Sequence, residues 1–193
     1  MKTGRLEAFS DGVLAIIITI MVLEMKVPEG PEFETLLPVL PVFLTYLGSF
    51  VYIGIYWNNH HHLMQAVSKV NGNVLWANLH LLFWLSLFPF VTGWMGENHF
   101  EKNPVALYGI VLMMAAIAYR ILVWKVMKYE GSNSKLKKAF GKDLKGLISI
   151  LFYALGVIIS FWIPIISLML YIVVAIIWIV PDKRIEKIIS EEL

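Results

Sequence analysis

Four apolar blocks of close to membrane-spanning length, and a fifth of about twice that length, leave this chain few ways to fold. They lie at roughly 8–26, 36–57, 74–96, 105–128 and 147–180, against about 20 residues for one helix across a bilayer. In lipid every backbone polar group needs an internal partner, so blocks of this kind fold as helices. The last block contains Pro164, and proline ends or kinks a helix. It therefore reads as two short helices in a hairpin turning near Ser160–Pro164. The expectation is an all-α membrane protein, a single six-helix transmembrane domain over residues 1–193. Its helices are expected at about 5–26, 36–58, 74–97, 105–129, 145–162 and 164–181. With 59% hydrophobic and 16% charged residues, almost every segment is needed for spans and connections, and no large soluble domain fits.

The first apolar run is too long for a cleavable signal and carries Asp11 inside it, so none is expected. The chain has no cysteine, which excludes disulfides and thiolate metal sites. Orientation follows from Lys and Arg. With the N-terminus in the cytoplasm, inside segments hold Lys2, Arg5, Lys69, the KVMKYEGSNSKLKKAFGKDLK loop and the KRIEK tail. Outside segments hold only Lys26 and Lys102, set against Glu29, Glu32, Glu34, Glu97 and Glu101. Both termini are thus expected in the cytoplasm, with the chain in the cell membrane. The basic flanks suit an anionic leaflet, and no basic-aromatic motif points to nucleic acid.

The first span, RLEAFSDGVLAIIITIMVLE at residues 5–24, poses a chemical question. Positions spaced 4, 3, 4 share one helix face, and starting from Gly12 that rule gathers Ile16, Thr19 and Leu23, with Ile20 beside them. The stripe is apolar except for one hydroxyl at mid-depth. A packing seam explains such a stripe, because a membrane threonine commonly bonds its own backbone. Asp11, about 100° from Gly12 around the helix, is harder to explain. An ionisable group inside a span costs about 2.5–3.5 kcal/mol on insertion scales and turns toward protein or water.

The pattern Arg5-x-x-x-Phe9-Ser10-Asp11, followed by Ala15-Ile16 and Thr19, resembles the signature of the transmembrane protein 175 family. The pattern at Trp57-Asn58-Asn59-His60-His61, the six spans and the chain length are similar as well. These are potassium-permeable channels of endosomes and lysosomes, with shorter prokaryotic relatives. The resemblance implies a homotetramer in which four first helices line a pore without a re-entrant filter loop. It implies a hydrophobic constriction at Ile16, with Ile20 and Leu23 on the same stripe, and a Thr19 hydroxyl ring that selects cations by transient contact with K+. It also implies that the Phe9-Ser10-Asp11 element belongs to a polar network that braces the pore helix, and Arg5, Trp57, His60, His61 and His80 are expected as further candidates for that network. Permeant K+ and other monovalent cations, the lipid bilayer and further copies of the chain are then the partners, and no cofactor is expected.

Other residues admit two readings. Glu24 is either a solvated interfacial acid or an outer ring that concentrates cations. Adjacent histidines in NNHHHLMQ diverge by about 100° on a helix, so His60, His61 and His62 make poor joint metal ligands and better tethers to the first helix. His80 is either a satisfied buried histidine or a member of the Asp11 network. Arg120 can snorkel part way to its lysine flank or pair with Asp11 or Glu7. The Leu107-Tyr108-Gly109 run sits inside a span and is not a filter. A secondary transporter or proton-coupled carrier using Asp11, His80 and Arg120 is the alternative. Transporters break helices at mid-membrane, and Pro164, taken as the only mid-block proline, is explained by a hairpin. An integral-membrane enzyme using the histidines is disfavoured by their spacing, and no enzymatic activity is expected.

Overall fold

The computed structural model describes residues 3–67, 69–131 and 143–179, and in them the chain is almost wholly helical. The helices are α1 (Thr3–Leu23), α2 (Leu40–Gln65), α3 (Gly72–Ser86), α4 (Phe88–Glu97), α5 (Lys102–Glu130), α6 (Leu144–Ile159) and α7 (Pro164–Ile179), with a short 3-10 helix (Phe33–Val39) leading into α2. Four runs are long and apolar enough to cross a membrane: Thr3–Leu23, Phe33–Gln65, Gly72–Glu97 and Lys102–Glu130, while α6 and α7 are shorter apolar helices. Counting α3 and α4 as one interrupted run gives six helical segments.

That interruption corrects the sequence reading, because Pro89 is a second proline in mid-block. It has no N–H to donate to the carbonyl of Leu85. The chain therefore ends α3 at Ser86 and restarts at Phe88, with Ser86 Oγ bonding the carbonyl of Phe83 at 2.7 Å. Phe88 and Pro89 are buried, and no ionisable side chain lies between residues 81 and 96. The break shapes the bundle, and Ser86 and Pro89 on either side of it line a hollow that faces α1.

Helix ends follow local chemistry. Asn71 caps α3 by accepting from Val74 N at 3.1 Å, and Asp143 caps α6 by accepting from Gly146 N at 3.0 Å. Pro164 opens α7 after a tight turn in which Ser160 N reaches Gly156 O at 2.9 Å. Between α4 and α5 the turn needs left-handed backbone at His99 and Phe100, with φ of 48° and 62°.

Helix α5 forms the centre, packed by α3, α4, α6 and α7. Its Ala115, Ala118 and Gly109 let neighbouring backbones approach closely. A Cβ at Gly109 would overlap the Tyr171 hydroxyl, and one at Gly156 would overlap the same ring. Tyr171 of α7 thus occupies the space that two glycines leave open. The Leu107-Tyr108-Gly109 run is helical and packed, with Tyr108 hydrogen-bonded to Ser49 at 3.0 Å. Helix α1 rests against α2, α3 and α4 at the margin of the bundle. The lysine-rich residues 132–142, the KRIEK tail and Lys2 lie outside the described residues.

Candidate functional site: the open side of the first helix and its brace

Leu6, Ser10, Leu14, Ile17 and Met21 of α1 are buried, and their 4, 4, 3, 4 spacing marks the side that meets α2, α3 and α4. The other side is bare. Gly12, Ala15, Ile16, Thr19, Ile20 and Leu23 are all exposed, Ile16 at 58% and Leu23 at 80%. A Cβ added at Gly12 would meet nothing within 4 Å. Among the described residues, no side chain therefore covers this lane.

Thr19 sits in the middle of the lane. Its hydroxyl donates back to the carbonyls of Ile16 at 2.9 Å and Ala15 at 3.1 Å. The single hydroxyl hydrogen is held by the helix, which leaves oxygen lone pairs for a donor or a cation on the open side. This is the backbone bond of an ordinary membrane threonine, and it is compatible with cation contact.

A relay of polar groups fixes the buried side. Ser10 Oγ donates to Leu6 O at 2.9 Å and accepts from Asn78 Nδ2 of α3 at 2.9 Å. Asn78 Oδ1 lies 2.8 Å from His60 Nε2 of α2. Since the amide nitrogen is committed to Ser10, the amide oxygen faces His60, and the imidazole Nε2 carries the hydrogen. All three side chains are buried. One relay thus ties α1, α3 and α2 together where no water is available to replace a lost bond.

A second set of ties runs along the flank. Trp57 Nε1 donates to Asp11 Oδ1 at 3.1 Å, and its ring stacks on His61 at 6.1 Å between centroids. His61 Nδ1 meets Glu7 Oε1 at 2.5 Å, and its Nε2 faces Gln65 at 2.8 Å. Asp11 therefore has an indole N–H as its donor, and α2 grips α1 through both acids. At the other end of α1, Lys26 donates to Glu97 of α4 at 2.8 Å. This hydrogen bond and the carboxylate charge push the Lys26 ammonium pKa up. Both side chains are exposed, so water and salt screen the pair strongly.

Several sequence expectations are corrected here. His80 does not join Asp11 but accepts from Trp84 Nε1, one turn along α3, at 3.0 Å. Arg120 pairs with neither Asp11 nor Glu7; its Nε faces Asp143 Oδ2 at 3.4 Å, across to α6. Both acids of α1 are already occupied by α2, and Arg120 projects to the other side of the bundle. Arg5 and Phe9 are exposed, and Arg5 makes no side-chain hydrogen bond or ion pair among the described residues. The three groups of the carrier reading, Asp11, His80 and Arg120, thus have three separate partners and form no common site. The triplet His60, His61 and His62 sends its first two rings to different helices, and no group of three metal-binding side chains occurs among the described residues. Sequence reasoning missed Asn78, and named Glu7 only as a mate for Arg120 and not for His61. An amide inside an apolar span was the available signal for Asn78.

Glu24 is exposed and borders, with Ile20, Phe90, Trp94 and Glu97, a hollow of about 390 Å³ between α1 and α4. It stands beside the uncovered lane, one residue beyond the end of α1.

The chain has counterparts among known proteins. A family model described as endosomal/lysosomal potassium channel TMEM175 matches residues 5–89, the part of the chain that holds α1 and the α2 and α3 residues bracing it. A potassium channel from Chryseobacterium sp. (strain P1-3) is 63% identical over 191 residues, covering 99% of this chain and 100% of that protein. A potassium channel from Streptomyces collinus (strain DSM 40733 / Tue 365) is 35% identical over 135 residues, 66% of each chain. The crystal structure of a lysosomal potassium-selective channel TMEM175 homolog from Chamaesiphon minutus matches with a TM-score of 0.78 at 30% identity, covering 92% of this chain and 96% of that one. The chain belongs to the TMEM175 family, a family of ion channels rather than enzymes.

Proposed function

We propose that four copies of this chain form a potassium-permeable channel of the cell membrane, with their α1 helices side by side around a central pore. The observation that carries the reading is the bare lane of α1. A stripe facing lipid would be bulky and apolar throughout, whereas this one includes Gly12, Ala15 and the Thr19 hydroxyl. Cyclic symmetry is the usual way for single helices to enclose a pore, and the relatives named as potassium channels supply the ion. In the assembled channel Ile16, with Ile20 and Leu23, forms an apolar constriction that obstructs or dewets. Thr19 offers oxygens to a partly dehydrated K+ or another monovalent cation. The relay Ser10–Asn78–His60 and the ties Asp11–Trp57 and Glu7–His61 hold the pore helix, and Glu24 concentrates cations at the outer mouth. All six spans act as one transmembrane domain. The distribution of Lys and Arg supports a cytoplasmic position for both termini.

Purified protein in liposomes tests the reading against a coupled carrier. A channel passes K+ down its electrochemical gradient and shifts its reversal potential with the K+ ratio, whatever the proton gradient. Flux that stops when the proton or a second-ion gradient is collapsed overturns it.

A further inference from the structure

Along α5, Arg120, Trp124 and Lys128 are four residues apart and share one face. Trp124 is 50% exposed, and Lys125 and Lys128 hold their Nζ atoms 4.9 and 5.3 Å from its ring centroid. Neither ammonium has a carboxylate partner among the described residues. Deeper along the same face, Arg120 forms an ion pair with Asp143, which is also engaged as the cap of α6. Across from it Lys145 stands 4.4 Å over the ring of Trp178. Arg120, Asp143 and Trp178 belong to one crevice between α2, α5, α6 and α7, otherwise walled by tyrosines such as Tyr56, Tyr119 and Tyr153.

We propose that this face of α5 is a site for the headgroup of an anionic phospholipid, its phosphate held by Lys125 and Lys128 with Arg120 below. Among the described residues, cations exceed carboxylates here even when Asp143 and Glu130 are both counted. Lysines that only snorkel extend away from the bundle into water, whereas these two converge on one indole, the side chain that favours the headgroup level. Basic clusters between spans at that level attract anionic headgroups. The charge pattern also selects among lipids. A choline head would set its own ammonium against the lysines, and a glycerol head would not. The inference rests on the membrane placement of α5 and is independent of what lines the pore.

Native mass spectrometry of the purified full-length protein, with phosphatidylglycerol and phosphatidylcholine competing, tests it without any flux measurement. The wild type is expected to retain phosphatidylglycerol preferentially, and a Lys125→Gln/Lys128→Gln variant to bind it about thirty-fold more weakly, with about fivefold lost per cation. Lys125→Arg/Lys128→Arg, which keeps both charges, should restore retention, and Lys26→Gln at the opposite end should leave it unchanged. Equal retention of the two lipids by the wild type overturns the proposal. So does undiminished phosphatidylglycerol binding in the Gln variant, or displacement of the lipid by millimolar inorganic phosphate, which marks a site for a free anion.

Discussion

A threonine hydroxyl inside a membrane has one hydrogen to place, and Thr19 places it on the carbonyls of Ile16 and Ala15. In the channel reading the remaining lone pairs favour the less strongly hydrated K+ over Na+. Thr19→Val keeps the shape and removes the oxygen. It should lower the K+ to Na+ permeability ratio by about fivefold, equivalent to about 1 kcal/mol, read from reversal potentials in mixed solutions. Ile16→Asn should act differently, raising single-channel conductance while weakening selectivity, because a polar ring lets hydrated ions through. The buried relay makes a contrasting prediction. Asn78→Ala leaves the Nε2 hydrogen of His60 and an acceptor pair of Ser10 unpaired, at about 1–3 kcal/mol per buried group. It should lower the thermal midpoint in detergent and leave the permeability ratio unchanged. The sequence disclosed the lane at this scale because period 3.6 is written in residue spacing. It disclosed the partners of the polar groups poorly. Arg120 and Asp11 looked like natural mates by charge, but whether they meet depends on how helices are arranged around α5, which no local pattern encodes.

At the scale of the elements, hydropathy located the apolar segments because lipid demands about 20 apolar residues for each spanning helix. Their internal features depended on single residues. Pro89 divides the third run, while Pro164 merely opens α7. The knob of Tyr171 in the space beside Gly109 and Gly156 was invisible in the sequence, since it needs α5, α6 and α7 to be placed first. Gly109→Ala should therefore destabilise the bundle by about 1–3 kcal/mol, the usual range for overpacking. Gly54→Ala, where a Cβ meets nothing within 4 Å, should be close to neutral. Thermal unfolding of the two variants side by side checks this.

For the whole molecule, the covered side of α1 is buried by α2, α3 and α4, and in the channel reading the bare side faces further copies of the same helix. Native mass spectrometry should find four chains in the assembled protein. The chain has no cysteine, so single cysteines can report which side of α1 meets the ion path. The deciding measurement is block of the potassium current by a membrane-impermeant cationic thiol reagent added from the outer side. Leu23→Cys, and more slowly Thr19→Cys, should be blocked, while Ile17→Cys and Met21→Cys, on the covered side, should conduct unchanged. Block at Ile17 and Met21 with none at Leu23 and Thr19 would contradict the pore placed here.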